Sequence, residues 1–203
     1  MQEQEVEIQK KTPTDHPILN VLKTRWSPRV FSPQPITEQQ VKKLLEAGRW
    51  APSSYNMQPW RVIWGIKGSE TYDRIFDCLN EFNKGWAHSA QVLWLNAYKT
   101  DTNDDSGDEN KHALHDLGLF MGNVLTQAED MGIAVHQMAG IGSTKAKKEF
   151  NFPENYVVAT GVAFGHYGGN PEKLDEELQE QELETERKRL KQQEFAFNGN
   201  FEQ

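Results

Sequence analysis

A long amphipathic segment at residues 111–131 limits the folds open to this sequence. Its apolar residues recur at intervals of three and four, which predicts an α-helix with one broad apolar face. That face consists of Leu114, Leu117, Phe120, Met121, Val124, Leu125 and Ala128. Two small residues, Gly118 and Gly122, lie on one side of the helix, so we expect it to pack closely against another element. The face is also wider than a domain with few strands can easily cover.

Four short segments rich in β-branched and aromatic residues predict β-strands. They are residues 60–66, 90–98, 133–138 and 156–164. A helix after Thr37 begins with a capping box that Thr37 forms with Gln40. Further helices are predicted from Ser69 to Phe82 and from Ser143. Because few strand–helix–strand units occur, we expect an α+β fold rather than a doubly wound parallel sheet.

The two ends of the chain are polar and flank the part that can form a core. We divide the sequence into a polar N-terminal extension at 1–16, a main domain at 17–169 and a C-terminal arm at 170–203. Pro171 suits the first position of a helix in the arm. The apolar residues of that helix form only a thin stripe, so it needs a surface to pack on. That surface belongs either to its own domain or to a second copy of the chain.

The acidic charge of the chain is concentrated in the arm. Residues 172–186 contain eight acidic residues and one Lys, and so account for −7 of the net charge of −8. The rest of the chain is nearly neutral, so we expect no general affinity for nucleic acid. The single cysteine, Cys78, excludes an intrachain disulfide and a cysteine-rich zinc site. His112 and His115 could share a helix face, but no third ligand is near them, so we expect no metal site.

Nothing in the sequence indicates a membrane protein or a secreted one. No apolar run approaches the roughly 20 residues of a membrane-spanning helix, and residues 1–11 lack the apolar core of a signal peptide. A single cysteine also fits a reducing compartment, so we expect a cytoplasmic protein. The glycine motifs of dinucleotide-binding folds and phosphate-binding loops are absent, as is the serine motif of the α/β-hydrolases.

Three polar stretches contain residue types suited to binding a ligand. Arg25 and Arg29 flank Ser27, and guanidinium groups bind phosphate through paired hydrogen bonds. The loop at 51–60 holds hydroxyl and amide side chains between prolines, a stiff arrangement that can bind the polar edge of a planar ring. The basic group 187–189 follows the acidic run. The simpler interpretations are a surface pair of arginines, a polar turn and ion pairs on a helix surface.

Together with further segments, these stretches resemble motifs of the FMN-dependent nitroreductase family over residues 17–201. The matching segments are Arg25-x-Ser27-x-Arg29-x-Phe31, Ala51-Pro52-Ser53-Ser54-x-Asn56-x-Gln58-Pro59-Trp60, Asn83-x-x-Trp86-Ala87, Asp116-Leu117-Gly118-Leu119, the run from Gly132 to Gly140, and Arg187-x-Arg189 followed by Glu194-Phe195-x-Phe197. The run from Gly132 to Gly140 resembles the flavin-edge segment of the HxMxG-type subgroup. Each motif alone is modest, whereas all of them in order are specific.

The resemblance implies FMN as the cofactor and a role for individual residues. The phosphate and ribityl chain would be held by Arg25, Ser27, Arg29, Arg187 and Arg189, with Trp26 inside the same motif. Asn56 and Asn83 would bind the polar edge of the ring, and Ser53 and Ser54 would line the pocket from the side of the second subunit. Residues Gln137, Met138, Ala139 and Gly140 would pass flavin N5, with the backbone N–H of Ala139 or Gly140 donating to it.

The resemblance also implies a fold and an activity. The expected fold has a central mixed, mainly antiparallel sheet flanked by helices, in an intertwined homodimer whose swapped C-terminal arm completes the FMN phosphate site. The expected activity is ping-pong hydride transfer from NAD(P)H through flavin N5 to nitroaromatic compounds, quinones or other flat electrophiles. An alternative is a flavin-binding storage or redox-responsive protein without efficient turnover, and a third is oxidation or reductive dehalogenation. No catalytic side chain is implied, because the flavin carries the chemistry.

Three positions depart from the family's pattern. Ala139 stands where several relatives carry Glu, so no protein carboxylate is implied beside N5. Trp26 stands where Arg is common, and Lys191-Gln192 replaces a frequent Pro-Leu pair. These motifs do not distinguish NADH from NADPH, do not identify the natural acceptor, and do not separate one-electron from two-electron reduction.

Overall fold

The computed structural model describes residues 8–102 and 106–201, and within them the expected α+β fold is confirmed. The strands are β1 (Trp60–Ile66), β2 (Val92–Lys99), β3 (Ile133–Met138) and β4 (Tyr156–His166). The helices are α1 (Asn20–Thr24), α2 (Glu38–Arg49), α3 (Glu70–Asp77), α4 (Glu81–Ala87), α5 (Ala113–Asp130), α6 (Ser143–Glu149) and α7 (Glu176–Leu183). Each expected strand forms within two residues of its predicted bounds.

The four strands form one sheet in the order β1-β2-β4-β3, and every neighbouring pair is antiparallel. Side chains of a strand point alternately to the two faces of its sheet. In β2, Val92 and Trp94 join a core formed with α2 and α5, whereas Leu93 and Leu95 join a second core formed with α3, α4 and α6. The sheet is therefore buried on both faces, which explains the unbroken apolar run of β2.

The helix predicted at 111–131 forms as α5, and its closest contact is with α2. A Cβ atom at Gly48 of α2 would overlap the ring of Phe120, so glycine is required where these helices meet. Among the described residues of one chain, the expected close packing at Gly118 and Gly122 is not made, since a Cβ at either position would meet no atom within 4 Å. Those glycines lie on the face of α5 that points away from its own domain.

The prediction of a single helix from Ser69 to Phe82 is wrong, because the structure contains two helices there. Helix α3 begins at the predicted cap, Ser69, but ends at Asp77. The side chain of Asn80 then caps α4 by accepting a hydrogen bond from the N–H of Asn83, and the N–H of Asn80 donates to the carbonyl of Gly140. Contact with a distant segment therefore interrupts a helical pattern that the local sequence continues.

The first half of the C-terminal arm packs on its own domain. Pro171 begins a short 3-10 turn rather than the α-helix, which starts only at Glu176 after its cap Asp175. Leu178 is buried in the core of the domain. Farther along, the carbonyl of Thr185 accepts a hydrogen bond from the N–H of Lys11. Residues 171–187 thus have a surface within the same chain.

The second half of the arm is exposed. Beyond the basic group 187–189 the chain forms a 3-10 turn at Gln192–Glu194 and no strand. Leu190, Phe195 and Phe201 all expose most of their side chains, and Phe201 also packs edge-on against the ring of Phe197. The apolar residues at this end of the arm therefore have little cover within the chain.

The N-terminal extension is partly described. Its residues 1–7 lie outside the described residues, whereas Lys10 and Lys11 contact the arm near Glu186. Helix α1, which follows the extension, was not predicted from the sequence. None of the helices within residues 8–102 and 106–201 combines the length and apolarity that crossing a membrane requires.

Candidate functional site

Four of the residues expected to bind phosphate meet at one cavity of about 290 Å³. We call Arg25, Ser27, Arg187 and Arg189 the arginine cradle. Arg25 and Ser27 follow α1, whereas Arg187 and Arg189 lie in the arm, so the two ends of the chain form the cradle together. Arg25 Nη1 donates to Ser27 Oγ at 3.2 Å, and Arg187 Nη1 donates to the carbonyl of Lys23 at 2.9 Å.

Three arginines and Lys10 bring four positive charges to the cavity, whose wall also contains the carboxylates of Glu184 and Glu186. Burial lowers the pKa of the Arg187 guanidinium, and the nearby charges of Arg189 and Arg25 lower it further. Trp26 and Gln181 also line the cavity, and the Lys10 ammonium lies 4.4 Å from the centre of the Trp26 ring. Guanidinium groups bind phosphate in a bidentate manner, so this arrangement suits a phosphate monoester.

Arg29 is not part of the cradle wall, although the sequence placed it in the same motif. Its backbone N–H donates to the carboxylate of Glu182, at 3.0 and 3.1 Å from the two oxygens. Its Nε atom is buried and has no hydrogen-bond partner among the described residues. A buried donor without a partner is costly, so Arg29 has capacity to bind a group from outside the chain.

The loop at 53–58 is held rigidly and presents polar atoms outward. The N–H of Ser54 donates at 3.1 Å to Asp116, a carboxylate that is only 2% exposed at the start of α5. Ser53 Oγ accepts from the N–H of Gln58 at 3.0 Å. Tyr55, Asn56 and Gln58 all have positive φ values, which are uncommon for residues other than glycine. Such strain is typical of binding loops.

The segment after β3 approaches α4. Gln137 and Ala139 are exposed, Met138 is buried, and the carbonyl of Gly140 accepts from the N–H of Asn80 at 3.0 Å and from Asn83 Nδ2 at 2.9 Å. The side-chain oxygen of Asn83 accepts from Trp86 Nε1 at 3.2 Å. Both ends of the Asn83 amide thus make hydrogen bonds within the protein, and the bond from Nδ2 positions Gly140.

Gly140 cannot be replaced without disturbing this network. A Cβ atom there would lie 2.7 Å from Asn83 Nδ2 and closer still to Asn80 Nδ2. Only glycine allows the backbone to pass so near the two amides. The segment expected to lie beside the cofactor is therefore fixed by its neighbours.

His136 links this segment to the phosphate motif. Its Nδ1 lies 3.0 Å from the carbonyl of Pro28, and its ring lies 4.5 Å from the ring of Trp86. Burial lowers the pKa of His136 to about 4. The ring is therefore neutral at pH 7, and Nδ1–H donates to Pro28.

Several residues that shape the candidate site could not be assigned a role from the sequence pattern. Asp116 and His136 lay within quoted motifs but received no role, although buried polar residues inside a motif could have singled them out. Glu182 and Lys10 gave no signal, because they lie in polar runs where every neighbour is similar. Within one chain the structure brings the cradle, Arg29 and the Gly140 segment together through Glu182 and His136. Loop 53–58 is held separately, by the hydrogen bond from Ser54 to Asp116.

Comparisons with known proteins agree with the sequence motifs. The family model described as Nitroreductase family matches residues 22–93. The chain is 27% identical over 154 residues to the NADPH-flavin oxidoreductase of Vibrio harveyi, an alignment that covers 71% of this chain and 63% of the relative. It is 24% identical over 166 residues to an NADPH-dependent oxidoreductase of Staphylococcus aureus (strain MRSA252), covering 75% of this chain and 65% of the relative. The chain thus spans slightly less than two thirds of the length of these relatives.

One solved structure matches over nearly the whole chain. It is an oxidoreductase described as containing FMN, and it superposes with a TM-score of 0.88 at 29% sequence identity, covering 97% of this chain and 99% of that one. A nitroreductase family protein from Clostridium difficile 630 superposes with a TM-score of 0.66 at 18% identity, covering 89% and 97%. The resemblance to the nitroreductase family is therefore confirmed, and the fold is the one shared by these structures.

Proposed function

We propose that this chain is an FMN-dependent oxidoreductase that carries a hydride from NAD(P)H to a flat electrophile such as a nitroaromatic compound or a quinone. The observation that carries the proposal is the arginine cradle, because residues 162 positions apart in sequence converge there on a site for one phosphate group. The FMN-containing structure and the relatives named as flavin and NADPH oxidoreductases support the same cofactor.

The residues present fit FMN. The cradle provides charge for the phosphate, and the buried, unpartnered Nε of Arg29 provides a further donor. When bound, FMN supplies a ring that accepts a hydride at N5 and gives it up again. In this proposal the exposed backbone at Ala139 and the Gly140 segment lie along that ring, and Asn83 holds them in place.

No carboxylate is proposed beside the reacting position. Ala139 is exposed at that point, and the proposed contact is its backbone N–H or that of Gly140. As the resemblance implies, we assign Ser53 and Ser54 to the side of the pocket that faces a second subunit, and Asn56 to the polar edge of the ring. The rigid attachment of their loop to Asp116 would keep that pocket in shape while substrates exchange.

We also propose that the protein is a homodimer. Phe195 is 60% exposed and Phe201 is 74% exposed, although aromatic rings are among the side chains that gain most from burial. Leu114, Gly118 and Gly122 form an open strip along α5, where small residues permit close approach. A two-fold dimer would cover both surfaces, with residues 190–201 of the arm lying on the other subunit.

The proposal is tested with the purified protein. We expect a yellow protein that releases one FMN per chain on denaturation, identified by chromatography against FAD and riboflavin standards. Under anaerobic conditions NADH or NADPH should bleach the flavin, and a nitroarene or quinone should restore its colour. Steady-state data should give parallel lines in double-reciprocal plots, as ping-pong kinetics require.

Two outcomes would contradict this function. Protein that binds no FMN at micromolar concentration would refute the cofactor assignment. Protein that binds FMN but shows no acceptor-dependent oxidation of NAD(P)H would instead indicate a flavin-binding storage or regulatory protein.

A further inference from the structure

Glu182 is a buried carboxylate between the two halves of the arginine cradle. It lies in the last turn of α7 and is only 1% exposed. Its oxygens accept hydrogen bonds from the N–H of Arg29 at 3.0 and 3.1 Å, and Oε1 is 3.4 Å from the N–H of Val30. The other acidic side chains of residues 172–186 are not buried.

The position of Glu182 along the chain explains why this contact matters. Arg29 lies four residues after Arg25, and Arg187 lies five residues after Glu182. The carboxylate therefore joins the segment that carries Arg25 to the arm that carries Arg187 and Arg189. An apolar side chain could fill the same space, but only directional hydrogen bonds fix one backbone relative to the other.

A second contact holds the arm at the same place. The Lys10 ammonium donates hydrogen bonds to the backbone carbonyls of Glu182 and Glu184. Three segments that are distant in sequence are thus fastened together at the end of α7. Lys10 also lines the cradle cavity, so its hydrogen bonds connect the end of α7 directly to that cavity.

Burying a carboxylate without compensation would destabilise the fold. At Glu182 the N–H donors of Arg29 and Val30 and the nearby positive charges of Lys10 and Arg29 offset part of this cost. A carboxylate at this position provides directional hydrogen bonds that an apolar side chain of the same shape does not.

We propose that Glu182 is a positioning residue for the phosphate of the cofactor, acting by fixing the backbone of Arg29 and Val30 to the arm that carries Arg187 and Arg189. This inference rests on the proposed function, since it assumes that the cradle binds FMN. Glu182 does not touch the phosphate, because its oxygens are occupied by the backbone donors. Its effect is to hold the cradle arginines at a fixed separation.

The test compares FMN with riboflavin, which lacks only the phosphate. Apoprotein of the wild type, Glu182→Gln and Glu180→Gln is titrated with each flavin while flavin fluorescence is followed. Glu180 is the matched control, because it lies on the same helix and is exposed. Glutamine keeps the shape of Glu182 but replaces one acceptor oxygen by an NH₂ that opposes the N–H donors.

We expect Glu182→Gln to raise the Kd for FMN about 10-fold, which is the effect of losing one charge-assisted hydrogen bond. The Kd for riboflavin should change less than about twofold, and Glu180→Gln should change neither. Equal losses for both flavins would show a merely structural role and overturn the inference, as would an unchanged FMN affinity. Should Glu182→Gln fail to fold, Glu182→Asp keeps the charge but shortens the reach, and the same selective loss of FMN affinity is required of it.

The same titration separates this inference from the proposed function. A wild-type protein that binds FMN no better than riboflavin refutes the assignment of the cradle to phosphate. A wild-type protein that prefers FMN, together with a Glu182→Gln variant that prefers it equally, refutes only the role of Glu182.

Discussion

Replacing His136 by Asn should remove a pH-dependent part of the stability of this protein. The ring is buried against Trp86, and burial lowers its pKa from the ordinary 6.5 to about 4. In the unfolded chain the ring takes up a proton as the pH falls below 6.5, whereas in the folded protein it does so only near pH 4. The unfolded state therefore binds more protons in this range, and the free energy of unfolding falls as the pH is lowered.

The size of the effect follows from the two pKa values. Each pKa unit corresponds to about 1.4 kcal/mol, so the change from 6.5 to about 4 amounts to about 3 kcal/mol. This stability is fully present above pH 6.5 and is lost progressively down to about pH 4. Asn can still donate to the carbonyl of Pro28 but does not titrate, so the variant should lack this loss.

The assay is urea unfolding of apoprotein at pH 7, 6, 5 and 4.5, with the wild type and His136→Asn measured side by side. At pH 7 the variant should be less stable by about 1–2 kcal/mol, because packing against Trp86 is reduced. The difference should shrink as the pH falls and reverse sign before pH 4.5, because only the wild type loses the His136 contribution of about 3 kcal/mol. His115→Asn is the control, since His115 is exposed on α5.

A second buried group titrates nearby and has the opposite sign. Burial raises the pKa of the Glu182 carboxyl, so its contribution to stability decreases as the pH rises through the acidic range. The wild type and His136→Asn both contain Glu182, so the effect of Glu182 on stability cancels in the difference between them. A stability difference between wild type and His136→Asn that stays constant from pH 7 to 4.5 would refute the reasoning.

Three further results are expected. Arg25→Ala and Arg189→Ala should each weaken FMN binding about 10- to 100-fold, the effect of losing about 1.5–3 kcal/mol of charge-assisted contact; flavin retained through dialysis as in the wild type would contradict this. Gly140→Ala should lower the free energy of unfolding by about 1–3 kcal/mol through overpacking, whereas Gly85→Ala, in α4 with open space around it, should raise it by up to about 1 kcal/mol. Removing residues 190–203 should shift the mass measured by light scattering from that of a dimer to that of a monomer. A truncated protein that remains a dimer at the same concentration would argue against the proposed role of the arm.

The strands could be predicted because their apolar runs are continuous and end at turn residues. Strand β2 illustrates this, since both faces of the sheet are covered there and the sequence of the strand shows no alternation. The division between α3 and α4 could not be predicted in this way. Tyr72, Ile75 and Leu79 keep a helical period up to the break, and the break itself depends on the hydrogen bond from Asn80 to Gly140, which is 60 residues away.

The same distinction applies to the site. Arg25, Ser27 and Arg189 could be chosen as candidates because they lie in segments that resemble motifs of the nitroreductase family. Their convergence could not be deduced, since it depends on where the arm packs. Glu182 is the clearest case: it is one of eight acidic residues in its run, and only the fold determines that this one is buried.

The contacts that assemble the cradle are mostly made to neutral backbone groups. Arg187 donates to the carbonyl of Lys23, and the N–H of Lys11 donates to the carbonyl of Thr185. Such contacts add no negative charge, and the four cations of the wall outnumber its two carboxylates, Glu184 and Glu186, so a net positive charge remains for a phosphate. The ion pair of Lys11 with Glu186 is largely exposed and contributes little by comparison. The phosphate of a cofactor would therefore meet charges already held in place, and this preorganisation is what raises affinity without requiring new contacts.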